Sequence, residues 1–187
     1  MNVVKHHREK LGLTQPGLSE KTGLSLRTIQ RVEASEKAPK GHTLKVLSEA
    51  FELAPQELQA QFISKQNIKN HDQDVLKQIN LSILIFFVFP FGNIVLPLLI
   101  WQRNKHLSDL VNEVGKRIVN FQIFWSIVLS LFSIVAPFIN HLIKTSIPII
   151  IVGLLGLVIY NMYIVLNTAR QISSEKYGFL KLPIHFL

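Results

Sequence analysis

Residues 21–33 read KTGLSLRTIQRVE. Leu24, Ile29 and Val32 fall at helical spacing, and Arg27, Thr28, Gln30 and Arg31 stand between them. Ser25 can cap a helix over 26–34, because its hydroxyl accepts from N–H groups that the first turn leaves open. Gly23 sits where a tight helix–helix turn needs a positive φ angle. A short helix with one edge for a core and arginines on the other suits a DNA groove.

The same periodicity runs outward on both sides. Val4, Leu11, Leu13 and Leu18 precede the stretch, and Leu44, Leu47, Ala50 and Phe51 follow it. These are the three- and four-residue steps of amphipathic helices. Gly12, Gly23, Pro39–Gly41 and Pro55 divide them, which predicts helices near 2–11, 15–22, 26–34, 43–51 and 55–62. Thr14 is a second candidate N-cap.

The stretch REKLGLTQPGLSEKTGLSLRTIQRVEASEKAPKGHTLKVLSEAFEL resembles the Cro/cI-type (XRE-like) helix-turn-helix family over about residues 3–62. The likeness includes the Leu-Thr-Gln opening of the second helix, the Gly23 turn, Ile29, Val32 and Glu33. It implies a five-helix, lambda-repressor-like domain whose helix 26–34 lies in the major groove. Ser25, Leu26, Arg27 and Arg31 then occupy base-facing positions, with Thr28 and Gln30 nearby. Gln15 is placed to bond a phosphate, and Arg8 with Glu33 forms a buried structural ion pair. The chemistry is sound: an arginine fork can bond guanine O6 and N7 together, for roughly 1–3 kcal/mol of discrimination. The sequence departs from the family at Ala34–Ser35, where a glycine often ends the recognition helix.

Charge divides the chain. Residues 1–77 hold 12 of the 20 Lys and Arg and 9 of the 12 Asp and Glu; only Asp109, Glu113 and Glu175 follow. Residues 1–63 carry nine basic against seven acidic residues, too small an excess for strong non-specific phosphate affinity, so a homodimer or higher oligomer is expected. The absence of cysteine excludes disulfides and thiolate sites and fits a reducing compartment. No signal-peptide pattern is read at the N-terminus. The net charge of +8 suits nucleic acid or an anionic membrane equally.

Residues 64–75 are polar and read as a linker between a domain over 1–63 and another over 76–187. A flexible tether of that length averages roughly 20 Å and reaches at most about 40 Å. His71, Asp72 and Asp74 within it are read as solvated rather than metal-binding.

The second half is apolar. Ile79–Trp101, Phe121–Ile139 and Ile147–Leu166 each approach the ~20 residues that span hydrocarbon, and none contains Asp, Glu, Lys or Arg. An α-helical transmembrane domain of three or four segments is expected, making the whole chain all-α. Pro90, Gly92, Asn93 and Pro97 interrupt the first stretch, which is either one kinked helix or a hairpin. Basic residues favour the hairpin. The 102–117 connection holds Arg103, Lys105, Lys116 and Arg117, the 140–146 connection only Lys144, and the tail Arg170, Lys176 and Lys181. Positive segments prefer the cytoplasm, where a DNA-binding domain must also lie. Residues 107–118 read as an amphipathic helix, lying on the cytoplasmic interface in preference to the DNA-binding domain.

The phrases LPLLIWQRNK, GKRIVNFQIFWSIV and YGFLKLPIHF resemble a small bacterial membrane-domain family of unknown function, related to the chloroplast Tic-type import-channel component, over about residues 76–187. That likeness implies helices and transfers no functional residue. Asn93, Asn120, Gln122 and Asn161 are read as joints between helices in preference to an ion or ligand path. Trp101, Trp125, Tyr160 and Tyr163 fit belt or packing positions. No paired carboxylates, Ser/His/Asp set, phosphate loop or His cluster is spaced for catalysis or metal binding. No catalytic residue, metal or cofactor is assigned, and the chain is not expected to be an enzyme.

These readings converge on a multi-pass protein of the bacterial inner membrane with its N-terminal domain in the cytoplasm. It would be a transcriptional regulator that binds double-stranded DNA, is anchored in the lipid bilayer, and senses an unknown signal ligand or oligomerises through its membrane part. The alternative is a transport or channel component whose helix-turn-helix domain docks a protein partner.

Overall fold

The computed structural model describes residues 2–89, 91–144, 149–180 and 186–187. No strand occurs among them. The chain separates into two compact units, residues 1–70 and 71–187.

The first unit begins with α1 (Val3–Lys10), α2 (Gln15–Thr22), α3 (Leu26–Ala34) and α4 (Gly41–Ala50), followed by α5 (Pro55–Leu81). Thr14 Oγ1 accepts from Gly17 N at 3.1 Å and Ser25 Oγ from Thr28 N at 3.2 Å, so both predicted caps are in place. Gly23 closes α2 with φ +68°. Val4, Leu18, Ile29, Leu47 and Leu58 are completely buried in one core to which all five helices contribute. Asn2 explains how α3 ends without glycine. Its Oδ1 accepts from Val4 N at 2.7 Å, capping α1, while its Nδ2 donates to the carbonyls of Val32 (3.1 Å) and Ser35 (2.5 Å). Those carbonyls therefore need no left-handed turn to find a donor.

Residues 64–75 depart from the expected flexible tether, since all of them are helical within α5. No Gly or Pro interrupts residues 56–81, and Lys, Gln and Asn on an exposed face are compatible with helix. Gln66 Nε2 donates to Asn70 Oδ1 one turn on, and Lys69 Nζ reaches Glu36 Oε2 at 2.5 Å. Further along, Val75, Leu76 and Ile79 are buried in the core of the second unit. The polarity of 64–75 reports exposure, not absence of structure.

In the second unit, a 3₁₀ segment (Ser82–Phe87) continues α5 and is followed by α6 (Gly92–Asn104), α7 (Asp109–Ile143) and α8 (Ile149–Ser173). The first apolar stretch is a hairpin. Gly115 lies against both of its ends: a Cβ there would come within 2.5 Å of Trp101 Cδ1 and 3.2 Å of Ile79 Cδ1. A continuous helix would hold residues 79 and 101 about 33 Å apart. Phe91, at φ +66°, turns the chain, and Gly92 then passes so close to Ile85 that a Cβ would lie 2.5 Å from its Cγ2. Pro90 lies outside the described residues, as do 145–148 at the predicted loop and the start of the third stretch, and Lys181 in the tail.

Residues 109–118 are the first turns of α7, not a separate surface helix. Their apolar face, Val111, Val114 and Ile118, is buried with Val75, Ile79 and Ile172. Side-chain burial within the unit accounts for the amphipathic pattern, so neither the membrane interface nor the DNA-binding domain is needed to cover it. At about 52 Å, α7 exceeds the roughly 30 Å of bilayer hydrocarbon, so its charged start can lie outside.

Both α7 and α8 are long and apolar enough to cross a membrane. A soluble core helix would be covered by protein. Here Phe138, Ile151, Val152, Leu155 and Ile159 are bare, and Leu142 is 82% exposed. Apolar surface on this scale calls for lipid or a partner.

Candidate nucleic-acid interface

Helices α1 and α2 pack against α3 and fix its outward face. Ile29 and Val32 anchor it in the core, which turns Arg27, Gln30 and Arg31, one helical turn apart, to solvent. Leu26 is exposed at the start of the helix. Ser25 and Thr28 are partly committed to one another, their hydroxyl oxygens 2.9 Å apart. Every base-facing candidate except half-buried Thr28 is thus exposed, on an element held rigid from behind. Arg27 and Arg31 can fork onto guanine, Gln30 can pair with adenine, and Leu26 suits a thymine methyl.

Arg8 and Glu33 meet as the sequence implies. Arg8 Nε donates to Glu33 Oε1 at 2.6 Å and Nη2 to Oε2 at 3.2 Å, with Nη1 on the Leu13 carbonyl at 2.7 Å. Only 10% and 5% of the two side chains are exposed. Burial alone would push the Glu33 carboxyl up. The hydrogen bonds from Arg8 and Gln15 and the nearby charges of Arg8 and Lys5 outweigh it, so Glu33 is held below its ordinary value. The Glu33 hydrogen bond in turn raises Arg8. This pair joins α1 to α3 and helps to orient α3.

Gln15 is drawn into the same network, donating from Nε2 to Glu33 Oε2 at 2.9 Å. An amide nitrogen carries two N–H groups, so one remains for a phosphate. Gln15 thereby links the ion pair to the surface.

Sequence reasoning missed the basic loop beside α3. Arg31, Lys37, Lys40 and Thr43 border an open recess of about 320 Å³ with no carboxylate in its lining. Lys40 is the N-cap of α4 and makes no side-chain cap, which leaves N–H groups facing outward. The signal in the sequence was KAPK at 37–40, legible as a charged turn but not as a neighbour of Arg31.

In the second unit the candidate polar residues bond mainly to protein. Asn93 Nδ2 donates to Gln122 Oε1 (3.2 Å) and Ser126 Oγ (2.9 Å), and Gln122 Nε2 to Asn161 Oδ1 (3.2 Å), so α6, α7 and α8 share one buried amide chain. The space beside it, about 20 Å³, has room for one water. Asn120 stands apart, its Oδ1 accepting from Phe186 N and Leu187 N at 3.1 Å. Trp125 packs between Phe121 and Tyr160, while Tyr163 is exposed. His71, Asp72 and Asp74 form no metal-ligand group among the described residues.

Family models match residues in both units, and the Tic-type resemblance is not among the matches. A helix-turn-helix family model matches residues 4–58, a type of domain that binds DNA. No curated protein and no solved structure matches the chain. Residues 71–187, well over half of the sequence and including every apolar helix, match a second family model, and on that match the chain belongs to the magnetosome magnetite crystal formation protein family.

Proposed function

We propose that the protein is a membrane-anchored bacterial transcriptional regulator. The observation that carries this reading is the outward face of α3. Arg27, Gln30 and Arg31 are exposed on a buried-backed helix whose orientation is locked by Arg8 and Glu33. Ser25, Leu26 and Thr28 complete the base-facing set, and Gln15, Lys37 and Lys40 flank it for phosphates. Two copies would set paired recognition helices about 34 Å apart on a near-palindromic operator. The apolar helices of the second unit support anchoring in the cytoplasmic membrane, with the first unit on the cytoplasmic side. The family's description, magnetite crystal formation in magnetosomes, makes an iron-related stimulus the first class of signal to test.

Genomic fragments bound by the full-length protein would be selected and then tested by gel shift with residues 1–70. Specific binding that falls at least tenfold in Arg27→Ala and again in Arg31→Ala is the expected result. Unchanged binding in both variants, or no duplex affinity at low salt for dimerised protein, would reject the reading. The channel-component alternative rests on the Tic-type resemblance, which supplies no functional residue.

A further inference from the structure

The charge-free stretch ends at a basic recess that DNA binding does not use. Trp101, its last residue, is buried and donates from Nε1 to the Asn112 carbonyl at 3.0 Å. Gly115 presses against the indole, since a Cβ there would lie 2.5 Å from Cδ1. The ring is therefore fixed in place from two sides. Lys105, one turn on, holds Nζ 5.5 Å from the ring centroid. Trp101, Lys105, His106, Asn112 and Lys116 line an open recess of about 330 Å³.

No carboxylate is among those lining residues. Glu113 on α7 is engaged by Arg117 at 3.3 Å, and Asp109 is exposed in the first turn of the same helix. Two ammonium groups on fixed helices thus share a recess with no carboxylate among its described lining residues. Elsewhere on α6, Val95 and Leu99 are exposed to about half. A tryptophan at the boundary between apolar and charged sequence marks a membrane interface. Basic pockets at the cytoplasmic ends of membrane helices suit anionic headgroups.

We propose that this recess binds the headgroup phosphate of an anionic phospholipid. Lys105 and Lys116 supply the charge, Asn112 lies within the lining as a polar contact, and the acyl chains follow the exposed side of α6. A lipid fits better than nucleic acid because the recess opens at the end of an apolar segment, where a polynucleotide has no apolar counterpart. The inference rests on the membrane embedding of the second unit and is independent of DNA binding.

The test uses full-length protein in detergent micelles, with lipid retention read by native mass spectrometry after exposure to an equimolar mixture of phosphatidylglycerol and phosphatidylcholine. Wild type should retain phosphatidylglycerol preferentially. Each lysine near an anionic headgroup is worth about fivefold, so Lys105→Ala with Lys116→Ala should lower the preference by about 30-fold. The Lys105→Arg/Lys116→Arg pair should restore most of it, which separates lost charge from lost folding, and Lys144→Ala/Arg170→Ala should leave it unchanged. Equal retention of the two lipids by wild type, or an unaltered preference in the double alanine variant, would overturn the site. Complete displacement by inorganic phosphate would overturn it as a lipid site, as would displacement by a DNA duplex. A protein that enters vesicles without headgroup preference would refute the recess and leave the membrane reading standing.

Discussion

Glu33 shows how one carboxylate can set the geometry of a helix, here α3. Its native pKa lies below the ordinary 4.5, because the Arg8 and Gln15 hydrogen bonds outweigh the cost of burial. The unfolded chain then binds the extra proton as acidity rises. The pair's stabilisation is complete above about pH 4.5 and disappears as the pH falls through the native value. Replacing Glu33 by Gln leaves a buried guanidinium without its counter-charge and should cost about 3 kcal/mol at pH 7. In urea denaturation of residues 1–70, the gap to wild type should narrow below pH 4.5; a gap constant down to pH 3 would place the stabilisation elsewhere. Gly23 offers a contrasting case. Nothing lies within 4 Å of a Cβ built there, so only φ, at +68°, resists a side chain. Gly23→Ala should cost about 1 kcal/mol and Gly23→Asn less, since Asn tolerates the left-handed region. Equal losses by thermal melting would argue for a steric cause.

At the scale of elements, α3 and the 37–40 turn form one basic edge. If Lys37 and Lys40 neutralise phosphates, changing both to Ala should reduce the slope of log K against log salt by about 2 without altering which sequence is preferred. Fluorescence anisotropy across a salt series would measure this. A changed preference would instead assign those lysines to bases. In the second unit the element-scale joint is Gly115, which admits both Ile79 and Trp101. Gly115→Leu should drive the hairpin off α7. In a Trp125→Phe background, the remaining Trp101 emission should shift red as the indole loses its burial, and an unshifted spectrum would contradict the contact. Gly153 plays the same part between α7 and α8, where the Phe132 ring covers it so closely that no Cβ fits.

For the molecule as a whole, the ends of the membrane helices decide sidedness. Arg117 Nη1, near the start of α7, donates to the Tyr177 carbonyl just past α8 at 2.8 Å. The first turns of α7 and the segment after α8 thus lie together. Reporter fusions at residue 110 and after residue 187 should both report the cytoplasm, and opposite sides would refute the arrangement. Full-length protein should stay in the membrane fraction through an alkaline carbonate wash, whereas residues 1–70 should remain in solution. Release of the full-length chain by the wash would leave the bare faces of α7 and α8 unexplained.

The sequence by itself determined the first four helices and the start of the fifth, the Thr14 and Ser25 caps and the Gly23 turn, while the Arg8–Glu33 pair was implied by the family resemblance. The helices, caps and turn depend on residues close in the chain; the ion pair, 25 residues apart, was legible only through the resemblance. The sequence also determined the apolar character of the second half, because length and missing charge are local properties. Tertiary structure alone decided that 64–75 is helix, since exposed Lys, Gln and Asn read the same in a loop and on a solvated helix. It decided between kink and hairpin through the meeting of Ile79 and Trp101 at Gly115, a contact between positions 36 and 14 residues away from that glycine. It also brought Lys37 and Lys40 beside Arg31, and Lys105 beside Lys116. Periodicity shows which face a residue takes, but its neighbours across the fold are set by packing.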